Sequence, residues 1–232
     1  MAELQLLHGS QKIIEKPSFS FGNDHNDYGR GFYCTGSADL AGEWACRKGT
    51  DGFVNRYTLD DEGLITLDLT DGKHNVLNWI AILLKNRVFS LNSQIALEAK
   101  DYLLSNFSID TSKFDLVSGY RADGSYFRFA ESFLENSLSL DGLTKALYLG
   151  KLGIQTVLVS EKAFGRVKFV SSSPEQREHY YPRFLQRDFS ARQAYSQEIA
   201  KVKTAKDDIF VIDILRKEIG NDDSRIQRIV SE

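Results

Sequence analysis

The chain has 232 residues, with 29 Lys and Arg against 32 Asp and Glu, a formal charge of −3, three prolines and two cysteines. That length is enough to bury a substantial core, and with no Pro-rich or Gly/Ser-rich linker a single domain over residues 1–232 is expected. The near-even charge gives no global sign of a nucleic-acid or membrane partner, and Cys34, Cys46 and four scattered histidines form neither a disulfide framework nor a metal-ligand set.

Met1 to His8 has no basic region leading into an apolar run, and no stretch approaches the ~18 apolar residues of a membrane helix. A reduced, cytoplasmic protein without metal is therefore expected. Short strands are predicted at Leu4–His8, Gly31–Thr35, Phe53–Leu59 and Leu64–Leu69, bounded by Gly, Asp and Asn turn signals. Between the second and third, Ser37–Lys48 reads as a helix with Ser37 as its N-cap and Ala38, Ala41 and Ala45 on one face, small enough for close packing on a sheet.

Two amphipathic helices follow at Val76–Arg87 and Ser93–Phe107, with Trp79, Ile80, Leu83, Ala99 and Leu103 at core spacing. Leu116–Gly119 is a short strand, Ser125–Leu134 and Leu140–Leu149 are helices, and Thr156–Val159 is the most β-like run in the chain. Arg166–Val170 is expected to pair with that run across a turn containing Gly165. From Pro174 to the end, a polar helical extension is expected to pack on the domain, with Ile209–Leu215 as its docking element. The fold class is α+β.

Leu7-His8-Gly9-Ser10 ends the first strand, and Gly29-Arg30-Gly31-Phe32-Tyr33 opens the second. A glycine lets a ligand approach the backbone, whose N–H and C=O can both bond a planar carboxamide. The neighbouring imidazole can bond a ribose hydroxyl, and Tyr33 can offer a ring face to a flat heterocycle. Each feature also has an ordinary packing explanation.

The two segments, in this order and followed by an alanine-bearing helix, resemble the nicotinamide-binding half of ADP-ribosyltransferases of the diphtheria-toxin and poly(ADP-ribose) polymerase branch, whose motif is His-Tyr-Glu. More closely, from Leu4 to about Leu215, the chain resembles a bacterial domain family of unknown function placed in that superfamily. The shared features are the His-Gly-Ser start, the Gly-x-Gly-Phe-Tyr segment, Gly119-Tyr120-Arg121-Ala122-Asp123 and the strand Gln155-Thr156-Val157-Leu158. The resemblance implies a split β-sheet core with inserted helices, NAD as substrate, and transfer of ADP-ribose to a macromolecule.

Position by position, the resemblance implies that His8 bonds the NAD ribose, Gly9 holds the carboxamide, Ser10 supports the same end, Gly31 allows close approach and Tyr33 stacks on nicotinamide. The motif glutamate falls on Gln155, which keeps a hydrogen-bond acceptor and loses the charge. That departure implies single transfers rather than chain elongation, with Glu161 or Asp123 as candidates to supply the missing charge.

Arg121 is a candidate for the NAD pyrophosphate and Asp123 for orienting the acceptor; the alternatives are a surface charge and a helix cap. From Arg177 to Tyr195, arginines including Arg183 and Arg187 alternate with His179, Tyr180, Tyr181, Phe184 and Phe189. Cations with interleaved rings suit single-stranded RNA or DNA, and an amphipathic helix docked on the core explains them as well. Related bacterial families act as toxins paired with a neutralising protein, so an antitoxin partner is implied. The competing readings are an NAD glycohydrolase using water as acceptor and a catalytically inactive NAD-fold binding module.

Overall fold

The computed structural model describes residues 3–122, 124–149, 153–201, 208–226 and 228–230. Among these, the strands are β1 (Glu3–Ser10), β2 (Phe32–Thr35), β3 (Gly52–Asp60), β4 (Thr66–Asp68), β5 (Asp71–Asn75), β6 (Leu116–Tyr120), β7 (Ile154–Leu158), β8 (Val167–Glu175) and β9 (Arg228–Val230). The α-helices are α1 (Ala38–Cys46), α2 (Val76–Asn86), α3 (Gln94–Asn106), α4 (Gly124–Leu134), α5 (Leu140–Leu149), α6 (Glu161–Phe164), α7 (Arg177–Lys201) and α8 (Val211–Arg216). The class is mixed α+β, as expected.

Seven strands form one sheet in the order β4-β6-β7-β2-β1-β3-β8, antiparallel except for the β4–β6 pair, while β5 and β9 form a small second sheet. At the centre of the large sheet, β1 and β2 pair at Leu7↔Thr35 alone. On either side pairing is extensive: β1 keeps register with β3 from Glu3↔Asp60 to Ser10↔Phe53, and β2 with β7 from Phe32↔Leu158 to Thr35↔Gln155. The two halves of the sheet therefore part beyond one shared pair.

The helix starts are capped, at α1 by the predicted Ser37. The Ser37 side chain accepts from Leu40 N, Ser93 accepts from Ala96 N, and Asn75 with Asn78 forms a reciprocal capping box at α2. Trp79, Ile80 and Leu83 of α2 are fully buried against α3, α4 and α5 on one face of the sheet. A smaller cluster of Leu6, Phe32, Cys34, Tyr57, Leu59 and Leu158 fills the other face.

One expected pairing is corrected. The strand at Val167–Glu175 does not pair with β7; it runs along β3 at the far edge, from Leu59↔Val167 to Gly52↔Glu175. Both sides of β7 are already occupied by β6 and β2, so the free hydrogen-bonding edge lies on β3. The short α6, capped by Ser160, and the turn at Gly165 carry the chain there. The polar strand β5 was not expected either, because Asp71-Gly72-Lys73-His74-Asn75 has turn composition and no alternation.

The C-terminal extension is part of the core and not an appendage. Ala191 of α7, Val211 and Ile214 of α8, then Ile219 and Ile226, are buried in the same cluster as Trp79. A chain ending at Gln176 loses these side chains, of which Val211, Ile214, Ile219 and Ile226 are each worth about 1.5–3 kcal/mol of burial, against a typical total stability of about 5–15 kcal/mol. Such a truncation is expected to lose its cooperative thermal transition; an unchanged melting midpoint would contradict this placement of the core.

Candidate active site

Where β1 and β2 part, a cavity of about 420 Å³ opens, within the range usual for small-molecule sites. Its walls bring together His8 and Gly9 from the end of β1, Gly31, Phe32 and Tyr33 from the start of β2, and Gln155 from β7. Arg121 and Ala122 enter from the end of β6, Trp44 and Arg47 from the end of α1, Asp27 from the loop before β2, and Arg87 from the end of α2. Phe21, 81 % exposed, stands at the rim.

The split is bridged by a side chain. His8 Nδ1 lies 2.7 Å from the carbonyl oxygen of Tyr33. A carbonyl only accepts, so Nδ1 carries the proton and Nε2 is left as an acceptor. Burial lowers the His8 pKa below 6.5, the positive charge of Arg47 adds to this, and the Tyr33 bond opposes it. The imidazole is thus neutral at physiological pH, and its ring packs on Phe32 with centroids 4.4 Å apart.

Tyr33 is held by its hydroxyl, which donates to Gly29 O at 2.6 Å and accepts from Tyr28 N at 3.0 Å. These bonds close the turn at Gly29, whose φ of +76° suits glycine. Burial keeps the phenol protonated. Tyr33 therefore presents to the cavity a ring whose hydroxyl is already engaged with the backbone of Tyr28 and Gly29.

Gln155 is buried and donates from Nε2 to Asp27 Oδ2 at 3.0 Å and, at the 3.5 Å limit, to Tyr120 O. Asp27 collects three donors: Gln155, the backbone N–H of Ala122 at 2.9 Å, and Arg87 Nη1 at 3.0 Å. Burial raises the Asp27 pKa above 3.8, while these donors hold it back. Arg87 is itself backed by the Phe127 ring, 4.9 Å from its guanidinium carbon.

Arg121, expected either at a phosphate or on the surface, is buried in the cavity wall with its guanidinium carbon 4.8 Å from the Trp44 ring centre. Trp44 Nε1 is buried with no hydrogen-bond partner among the described residues. Three arginines and an indole thus share one cavity with His8 and Tyr33. Trp44, Arg47, Asp27 and Arg87 escaped the sequence reading; only Trp44, in the last turn of the alanine-bearing helix, carried a usable signal.

The glycines have a packing reason where a ligand reason was expected. A Cβ on Gly9 would lie 1.9 Å from Ala41 O of α1, and one on Gly31 would lie 2.5 Å from Val157 Cγ1. Ser10 accepts from Asn55 Nδ2 and donates to Lys12 O, holding the chain as it leaves β1, outside the cavity wall. Glu161 is at the first turn of α6, beyond the opposite end of β7 from Gln155, and does not line the cavity. Asp123 lies outside the described residues.

Arg183 and Arg187 both pair with acids of α1, Arg183 at the surface and Arg187 against a buried partner. Arg183 Nη1 bonds Asp39 Oδ1 at 3.1 Å, and Arg187 makes a two-pronged pair with the buried Glu43, at 2.9 and 2.7 Å. Beside them the Tyr180 ring fills the space a side chain at Gly42 would need. The bonds fasten α7 to α1, and the helix-docking explanation accounts for these two arginines.

Residues 4–169 match the family described as Protein of unknown function (DUF3990). The chain belongs to this family. No curated protein and no solved structure matches it. The DUF3990 region runs from β1 to the first residues of β8 and contains every cavity residue named above, whereas α7 and α8 lie beyond it. Among the described residues no helix is long and apolar enough to cross a membrane, and no cluster of three or more His, Cys, Asp or Glu could hold a metal.

The state of His8 sets a pH dependence. Its unfolded counterpart binds a proton near pH 6.5 while folded His8 does so only at lower pH, so as pH falls the unfolded state takes up more protons and stability drops. Asp27 works in the other direction, costing stability as pH rises above 3.8 through its raised pKa. Between about pH 7.5 and 5, wild type is expected to lose stability in denaturant titrations faster than His8→Gln, by at most about 1.4 kcal/mol per pH unit. Parallel curves would show that His8 titrates normally.

Proposed function

We propose that this DUF3990 protein is a mono-ADP-ribosyltransferase that cleaves NAD and transfers ADP-ribose to a macromolecule. The observation that carries the proposal is the convergence of His8, Tyr33 and Gln155, far apart in sequence, on one cavity that also holds Arg121, Arg47 and Trp44. Rings, a neutral imidazole acceptor and guanidinium groups suit a ligand with a flat heterocycle, ribose hydroxyls and phosphates. The parting of the sheet also agrees with the split core of that superfamily.

In this reading nicotinamide lies at Tyr33, along the β1 edge that the split leaves unpaired at Gly9. His8 Nε2 accepts from a ribose hydroxyl, Arg121 and Arg47 meet the pyrophosphate, and Gln155 Oε1 accepts from a hydroxyl of the reacting ribose. The glycosidic C–N bond breaks with its electron pair leaving on nicotinamide. The resulting oxocarbenium carbon is captured by an acceptor nucleophile, which loses its proton to solvent. With an amide in place of the motif glutamate, one transfer per site is the expected outcome.

The toxin role and the neutralising protein rest on family resemblance alone. Arg183 and Arg187, bonded to α1, lend no weight to a nucleic-acid acceptor over a protein one.

Incubation with adenylate-labelled NAD and cell lysate, followed by nuclease or protease digestion, tests the proposal and reads out the acceptor class. Label is expected in one macromolecular fraction together with free nicotinamide; nicotinamide without macromolecular label would mean hydrolysis, and no nicotinamide a binding module. Tyr33→Ala and His8→Ala, folded by circular dichroism, are expected to release nicotinamide about 100-fold more slowly or worse. Tyr33→Phe keeps the ring and loses the hydroxyl's ties to Gly29 O and Tyr28 N, so it is expected to stay active with stability lowered by about 1–3 kcal/mol. Full activity in both alanine variants would place the chemistry elsewhere.

A further inference from the structure

We propose that Asp27 is the positioning residue for Gln155, and that the two side chains act as one unit in which the acid orients the amide. The inference rests on the transferase reading of the cavity and concerns a residue to which that reading gives no role. Asp27 comes from the loop before β2 and Gln155 from β7, 128 positions apart, and Asp27 Oδ2 accepts from Gln155 Nε2 at 3.0 Å.

The orientation of the amide follows from what surrounds it. A carboxylate bonded to Arg87 and to the Ala122 N–H can only accept, so the nitrogen of Gln155 must face it. The second amide hydrogen points toward Tyr120 O. Both donors are then directed to the protein side, and Oε1, the side chain's acceptor, is left for the cavity that Gln155 lines. A free glutamine presents nitrogen or oxygen with similar ease; here the flip would set a carbonyl against a carboxylate in a buried site. Asp27 thereby ensures that a ribose hydroxyl meets an acceptor.

The same geometry gives a prediction opposite in sign to the simple view that Gln155 is a weakened glutamate. If only the missing charge mattered, Gln155→Glu would restore the family motif and speed nicotinamide release. With Asp27 fixed in hydrogen-bond contact, Gln155→Glu puts two buried carboxylates side by side, so that one must take up a proton or turn away. The expected result is a fall in kcat of about 100-fold, with KM for NAD much less affected. Removing the like charge in Asp27→Asn/Gln155→Glu is then expected to recover at least about tenfold of that loss.

The experiment compares wild type, Gln155→Glu and the double variant by nicotinamide release at varied NAD and by melting midpoint. Slower release by Gln155→Glu with recovery in the double variant supports the inference, as does a single variant that fails to fold while the double folds. Gln155→Glu as fast as wild type, or a double variant that is no better than the single in both release and melting, overturns it; so does failure of both to fold. If wild type itself releases no nicotinamide, the transferase reading falls, and the melting midpoints of the same proteins still decide whether Asp27 and Gln155 form an interdependent pair.

Discussion

The site depends on the loss of pairing between β1 and β2 beyond Leu7 and Thr35. A strand in mid-sheet normally satisfies its backbone on both sides; here β1 keeps its whole length with β3 and β2 its whole length with β7, and the two halves share one pair. The His8 imidazole takes up the Tyr33 carbonyl across the gap. Because side chains alternate along a strand, a continuous sheet would separate His8 from Tyr33 and Gln155 by its own thickness. The parting lets residues from both faces line one cavity.

Helix α1 closes one side of that cavity, and its position follows from missing side chains. Ala41 O sits where a Cβ of Gly9 would be, and Ala45 O within 2.4 Å of where one on Gly52 would be, so the helix lies directly on the backbones of β1 and β3. Trp44 and Arg47 in its last turn are carried over the split, where Arg121 from the other half of the sheet stacks on Trp44. On its outer side α1 is held by α7 through the Glu43–Arg187 pair. Breaking such a buried pair costs about 3–5 kcal/mol. The segment beyond the family-matched region thus helps to fix a wall of a cavity lying wholly within it.

Local signals made most elements legible: the Ser37 cap, the periodicity of α2 and α3, and the β-branched run of β7 all lie where the sequence places them. What failed was pairing at long range. Nothing local in Val167–Glu175 distinguishes a partner on β7 from one on β3, because the choice depends on which edge other strands have already filled. The site divided in the same way. His8, Tyr33 and Gln155 were found through motif resemblance, while Asp27 and Arg87 sit in a polar loop and at a helix end, and acquire meaning only through partners 60 to 128 positions away. Gly9 and Gly31, singled out in the sequence for ligand approach, also face neighbours that leave no room for a Cβ, Ala41 O and Val157 Cγ1, which no local signal shows.

The Asp27 network is costly to bury, and that cost bears on what it is for. An ionised carboxylate, an amide and a guanidinium removed from water rarely add net stability even when well paired, and apolar groups of similar shape would usually fit as well or better. Yet this cluster lies in the wall of the cavity and joins four separate segments: the loop before β2, the end of α2, the end of β6 and the start of β7. Its contribution is better understood as orientation. An acid accepting from three fixed donors has one arrangement, and it fixes which end of the Gln155 amide faces it; under the proposed transferase reading, the acceptor oxygen is then set before any ligand arrives, as preorganised catalysis would require.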